Sequence, residues 1–346
     1  MPRPQPPAEE LTEQDIAELW ENAADPDDYP ALRIHRVTQE GEPAGLPDDV
    51  VELARATADR LTRRRRRRRR SGEKPKPSTP PGEVTGEAIH ELMEMLDVPE
   101  EAYDVGRYTV ALHVDDDEAA GYPPLPEGYG FKGGVSRKAL ARTLRLPVST
   151  AAVRDIDLLR GPDVPDDHDR ELAERYMTED LILGNAKVEA LVTPRDYFAT
   201  REVTMNQLYF LDGEIQVTPL GLLDTLGGVI RVTQGHLNLN RGKTHPIVAF
   251  KALRFAANLR AEGREPVIRH FRTDFRRRPH PFAFFLALQL SRAYESGPDT
   301  AAFYLDYARE WGLLDKADLP EDITAAEAAA ALKQRLTDYH LNFTEA

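Results

Sequence analysis

The sequence predicts a mixed α+β domain followed by an all-helical one. Two observations point there. Strand-like and helical runs alternate from residue 86 to 243, and from 244 onward four amphipathic helical runs follow one another with Gly or Pro between them. A chain of 346 residues has room for two or three domains and a sizeable core.

Residues 1–85 read as an N-terminal extension. "MPRPQPPAEE" has the composition of a disordered tail, and "TEQDIAELWENAA" is a short amphipathic helix with Thr12 as its N-cap. A second helix, "PDDVVELARATADRLT", runs into eight consecutive arginines, Arg63 to Arg70, before the linker "SGEKPKPSTPPGE". The arginine run fits a nucleic-acid arm and a self-repelling solvated tract equally well.

The globular part, 86–243, starts with the helix "GEAIHELMEML" and the half-buried strand "RYTVALHV". Asp115 to Asp117 then open a loop that reads first as a solvated acidic turn. After the segment "GGVSRKALARTLRLPVSTAAVRDIDLLRG" come a polar helix near Arg170 to Tyr176 and the strand "NAKVEALV". The strands "REVTMNQLYF" and "GEIQVTPL" follow, joined by the turn "LDGE". The third domain, 244–346, holds helices in "PIVAFKALRFAANLRAE", "FAFFLALQLSRAYES", "DTAAFYLDYAREWGLL" and "AAEAAAALKQRLTDYH".

Composition excludes several functions. The net charge of −14 rules out a uniformly basic coat, so a polyanion needs a local basic surface. The absence of cysteine excludes thiol catalysis, disulfides and thiolate zinc sites. No apolar run approaches the roughly 20 residues of a membrane span, and the N-terminus lacks a signal-peptide core. A cytoplasmic protein without a membrane partner is expected. The nine histidines show no i, i+4 pairing with acid partners, so none is assigned to a metal.

Chemistry concentrates in the segment that begins with Gly133 and Gly134. Glycines before a helix let a backbone approach a phosphate, and the free N–H groups of a helix start favour an anion. About 20 residues later, Asp155 and Asp157 project from the same side of a strand, because alternate strand residues share a face. Two carboxylates so close repel unless a cation lies between them. Phosphates at the glycines would therefore reach Mg2+ held by the aspartates, which is the arrangement phosphoryl and nucleotidyl transfer require.

These residues resemble the DNA polymerase β-type nucleotidyltransferases, specifically the head of bacterial CCA-adding enzymes and poly(A) polymerases. The family motif Gly-Gly-x-x-Arg-Asp-x-Leu-Leu followed by Asp-x-Asp is matched at Gly133, Gly134, Arg137 and Leu140, with Lys138 in place of the motif's Asp. Arg-Arg-Asp-Phe-Thr-Ile-Asn-Ala-Leu resembles "TREVTMNQL", with Arg201, Glu202, Thr204, Asn206 and Leu208 in register. "TPLGLLDTLGGVIR" matches a third motif through Pro219, Gly221, Leu226 and Arg231, and "FKALRFAANL" a fourth through Ala252, Arg254, Phe255, Ala256 and Ala257. The resemblance covers about residues 107 to 290.

It implies a head with a small mixed β-sheet flanked by helices, and an Mg2+-dependent enzyme that adds nucleotides from nucleoside triphosphates, ATP among them, to an RNA 3′ end. That is the work of tRNA-processing nucleotidyltransferases and poly(A) polymerases. Asp155 and Asp157 inherit the metal-binding role, and Glu189 in "KVEALV" is the candidate third catalytic carboxylate. Gly133, Gly134, Arg137, Arg201, Asn206 and Arg254 become the nucleotide-binding set, with Arg201 on phosphate and Asn206 on a ribose hydroxyl. Family members that select ATP and CTP carry Glu-Asp-x-x-Arg before the last motif; here Thr244, His245 and Val248 stand in those positions, so the base-reading pair is missing. This departure keeps two alternatives open: a transferase of the same fold acting on another RNA, a protein or a small molecule, and a non-catalytic nucleic-acid-binding relative. Arg269 to Arg278 mix arginines with phenylalanines, as an RNA-contacting surface or a solvated loop would.

Overall fold

Asp212 and Gly213 both take left-handed backbone conformations, the pairing a two-residue hairpin turn requires. They fold β6 (Leu208–Leu211) back on β7 (Glu214–Val217), so that Leu208 faces Val217 and Leu211 faces Glu214. The hairpin lies in the middle of a seven-stranded sheet. The computed structural model describes residues 46–71, 81–115, 121–146, 156–176, 187–240, 242, 244–271, 282–316 and scattered positions from 319 to 331. Residues 1–45, Asp155, 272–281 and nearly all of the helix expected over 325–340 lie outside the described residues.

The other strands are β1 (Tyr103–Val105), β2 (Val110–His113), β3 (Tyr129–Lys132), β4 (Asp157–Arg160) and β5 (Glu189–Ala190). They are arranged in the order β1-β2-β7-β6-β3-β4-β5, antiparallel throughout except for β4 with β5. With its flanking helices this is an α+β fold. Alternation along the strands builds two cores. Leu208, Phe210, Ile215, Phe131 and Leu158 face one way into the main core, while Tyr209 and Leu159 face the other, against Tyr197 and Phe198 of α5 (Pro194–Thr200).

The main core also takes in part of the segment assigned to the extension. Helix α1 (Asp48–Ser71) buries Val50, Ala54 and Ala58, one turn apart, and packs beside α2 (Pro81–Met95) and α6 (Pro219–Leu226). Residues 46–62 are therefore structurally part of the head. The sequence hid this because the fully buried apolar face of α1 is only Val50, Ala54 and Ala58, flanked by partly buried Leu53 and Leu61, next to a block of arginines.

Several local expectations shift. Helix α3 takes in the glycine pair expected to precede it, running Gly133–Thr143, and α4 spans Asp169–Tyr176. The strand expected over 201–210 is confined to its end; Thr204–Asn206 form a 3-10 turn instead. "NAKVEALV" contributes only the two residues of β5 among the described positions.

Beyond α7 (Gln234–Leu239), helices α8 (Pro246–Ala261), α9 (Phe282–Glu295), α10 (Pro298–Glu310) and α11 (Leu313–Lys316) share a separate core around Phe250, Leu253, Leu286, Leu290 and Tyr304. This region is not wholly helical. β9 (Val267–Arg269) pairs in parallel with β8 (Val229–Arg231) of the head. Three residues are too few for strand periodicity to register in the sequence. A third cluster, of Val203, Met205 and Ile230 with Val248, Ala252, Phe255 and Ala256, joins head to tail. No helix among the described residues is long and apolar enough to cross a membrane.

Candidate active site

Strand β3 ends at Lys132, and the chain turns at once into α3. Gly133 makes that turn with φ +66, in the left-handed region that favours glycine. A Cβ at this position would overlap Oδ2 of Asp157 and lie 3.2 Å from its Cγ. The carboxylate of Asp157 therefore rests on the bare backbone at the start of α3. Sheet register brings it there, since Lys132 and Asp157 are directly paired across β3 and β4. Lys132 is also the N-cap of α3 and makes no side-chain capping bond, so the first N–H groups of the helix face the same region without a side-chain acceptor. Asp157 is partly exposed, and its carboxylate makes no hydrogen bond or ion pair among the described residues.

Around this carboxylate the sequence-predicted residues fall into two connected groups. In the first, the Arg137 guanidinium, one turn into α3, donates to Oδ1 of Asn206 at 2.6 Å and lies 4.8 Å over the ring of Phe255. Arg254 stacks on the same ring at 5.1 Å and donates to Gln289 Oε1 at 2.8 Å. Burial pulls Arg137 below its ordinary range, opposed by the charges of Asp157 and Glu202. Burial lowers the adjacent Lys138 to about 8, with Glu262 opposing.

In the second group Glu189 accepts from two cations, Lys132 at 2.8 Å and Arg201 at 2.5 Å. Burial would raise the Glu189 carboxyl, but Lys132 and Arg201 outweigh it and hold the group below the usual carboxylate range. Both oxygens of Glu189 are engaged. In this arrangement it anchors two basic residues beside the site. Arg201 packs its guanidinium 4.2 Å over Tyr197. The next residue, Glu202, pairs with Lys251, which with its hydrogen bonds overcomes burial and lowers Glu202 to about 2.

Glycines 133 and 134, Arg137, Asp157, Glu189, Arg201, Asn206 and Arg254 thus belong to one neighbourhood, reached from α3, β4, β5, the end of α5, the 204–206 turn and α8. Asp155 lies outside the described residues. Asn206 is buried, and its carbonyl oxygen accepts from Arg137 while its amide nitrogen makes no hydrogen bond among the described residues. The turn that carries it is braced from below. Thr204 donates to Asp224 Oδ2 at 2.6 Å, and Arg231 grips the same buried carboxylate with two hydrogen bonds of 2.8 and 2.9 Å.

Sequence reasoning passed over Lys132, Tyr197, Lys251 and Gln289. Two signals for them were present: Lys132 directly precedes the glycine pair, and Lys251 sits three residues before Arg254, on the same helix face. Of the three positions aligned with the missing base-reading pair, Thr244 and Val248 are buried. His245 is exposed and caps α8 by accepting from the Ile247 N–H at 3.3 Å. No described group of three or more His, Asp or Glu side chains gathers around one metal position. Comparison with protein-family models, with curated proteins and with solved structures finds no match to this chain.

Proposed function

We propose that the protein is an Mg2+-dependent nucleotidyltransferase that moves a nucleoside monophosphate from a nucleoside triphosphate to the 3′ hydroxyl of an RNA. One observation carries this reading: the Asp157 carboxylate rests on the glycine start of α3, within electrostatic reach of the Arg137 guanidinium, and makes no ion pair among the described residues. A carboxylate kept for structure alone is ordinarily paired with a neighbouring cation. Asp157 has Lys132 as its register neighbour, yet Lys132 turns to Glu189 instead.

Asp157 offers a hard oxygen donor beside a site suited to phosphate oxygens, which fits Mg2+. With Asp155 as the second donor, the ion would draw charge from the phosphate oxygens and lower the pKa of the attacking hydroxyl. The chain's own groups do the rest. The open N–H groups of α3 and the guanidinium of Arg137 receive triphosphate oxygens. Arg201 and Lys132 exchange Glu189 for phosphate as the triphosphate enters. In the transfer the 3′ oxygen bonds to the α-phosphorus, the bond to the bridging oxygen breaks, and pyrophosphate leaves with that electron pair. The hydroxyl proton passes to solvent or to a carboxylate of the site.

The test incubates purified protein with Mg2+, each labelled nucleoside triphosphate in turn, and total RNA. Label in RNA that disappears in Asp157→Asn supports the reading. Failure to label RNA with any of the four nucleotides removes it.

A further inference from the structure

The arginine tract is not a detached tail. The backbone of α1 stays helical from Asp48 to Ser71, so Arg63 to Arg70 continue the helix whose first half is built into the head. That first half is fixed at several points besides its apolar face. Arg55 donates through Nε to the Gly227 carbonyl and through a terminal nitrogen to the Glu265 carbonyl, both at 2.7 Å, which ties the helix to head and tail together. Asp59 approaches Arg231 at 3.7 Å. Arg231 holds Asp224, Asp224 accepts from Thr204, and the Thr204–Asn206 turn presents Asn206 to Arg137. The arginine half therefore begins one helical turn beyond a residue that braces the underside of the candidate site.

Its chemistry selects the partner. Eight positive charges stand on eight consecutive helical residues, about 12 Å of helix at 1.5 Å per residue. Without them, the remainder of the chain carries a net charge of −22, so the tract is the exception to an acidic protein. No apolar residue interrupts Arg63–Arg70, which leaves no face to sink into a lipid interface. Arginine presents a planar fork that matches phosphate oxygens bidentately. A dense row of such forks, held by a helix that need not be ordered on binding, fits a polymer of regularly spaced phosphates.

We propose that residues Arg63–Arg70 form a rigid arm that grips the phosphodiester backbone of single-stranded RNA and holds it beside the candidate site. The choice of RNA as the polyanion rests on the transferase reading above; the arm itself rests on the helix and its anchoring.

The test titrates full-length protein into a labelled single-stranded RNA at low, physiological and high salt, without nucleoside triphosphate. A variant with all eight arginines changed to glutamine keeps a good helix former at each position. Its circular dichroism and melting temperature report whether α1 and the head survive. Affinity at physiological salt is expected to fall at least about tenfold. The plot of log K against log salt should flatten by about 0.7 for each phosphate the arm no longer neutralises, so by about 3 for four phosphates. A second variant with eight lysines keeps the charge and should retain the salt slope, with weaker binding. Unchanged affinity and slope in the glutamine variant would overturn the proposal. So would arm-dependent binding to anionic phospholipid vesicles with RNA binding unaffected. Arm-dependent binding by a protein that transfers nothing would sink the transferase reading and leave the arm standing.

Discussion

Replacing Gly133 by alanine separates the energetic from the chemical role of the turn between β3 and α3. The alanine must adopt φ +66, a left-handed conformation that costs an L-residue about 1–2 kcal/mol. The new methyl would overlap Oδ2 of Asp157 and stand 3.2 Å from Cγ and 3.4 Å from Cβ. Carbon contacts are comfortable at about 3.5–4.0 Å, so the carboxylate has to swing aside by roughly 1 Å. Being the far end of a partly exposed side chain, it can do so without disturbing the core. Stability should therefore fall by only about 1–2 kcal/mol, read from urea denaturation. Nucleotide transfer should fall by about a hundredfold, because a 1 Å misplacement of a catalytic group costs on that order. A folded Gly133→Ala variant with unimpaired transfer would refute the placement of Asp157 at the reaction centre.

Other expectations follow from the same geometry. Asp224→Ala leaves the buried Arg231 guanidinium and the Thr204 hydroxyl without their acceptor and should cost about 3–5 kcal/mol in denaturant unfolding; a loss under 1 kcal/mol would show that the pair is not what braces the 204–206 turn. Glu202 titrates near 2 in the folded protein against 4.5 for the free side chain, so its ion pair stabilises the fold above pH about 4.5 and is lost as pH falls toward about 2. Acid titration followed by circular dichroism should show an acid limb that is shallower in Glu202→Gln, and coincident curves would remove Glu202 from that limb. With Thr244 and Val248 buried and His245 engaged as a cap, base choice should be weak. The kcat/KM values for the four ribonucleoside triphosphates should lie within about tenfold, or about 1.4 kcal/mol, whereas a preference above about a hundredfold would mean that another group reads the base.

The fold class was legible because alternation and helical spacing survive in the longer elements. The hairpin at Asp212-Gly213 and helices α8 and α9 can be read from the sequence almost residue for residue. What escaped was set by tertiary packing. β8 and β9 have three residues each, too short to carry a period, and exist because neighbours supply their hydrogen bonds. The first half of α1 joins the head through Val50, Ala54 and Ala58, flanking leucines and the backbone bonds of Arg55, a mixture that composition does not distinguish from a charged extension. At the candidate site, the meeting of the glycine pair with Asp157 could be read in advance, since backbone approach and strand alternation follow from residue type alone. The partners of Glu189 could not be read that way. Lys132 and Arg201 lie 57 and 12 residues from it in sequence; the β3-β4-β5 order brings Lys132 near, and α5 returns the chain so that Arg201, its C-cap, reaches the same carboxylate. These contacts make Glu189 an anchor for two cations.

The most direct test of the proposed chemistry is incorporation of labelled nucleotide into RNA by the unaltered chain, by Asp155→Asn and by Asp157→Asn, with Mg2+ present and folding verified for each. The aspartates are proposed to hold the ion that neutralises the phosphate, so each substitution should remove several kcal/mol of transition-state stabilisation and reduce transfer by at least about a thousandfold. The unaltered chain should label RNA. Transfer at the unaltered rate by either folded variant would contradict the assignment of the site.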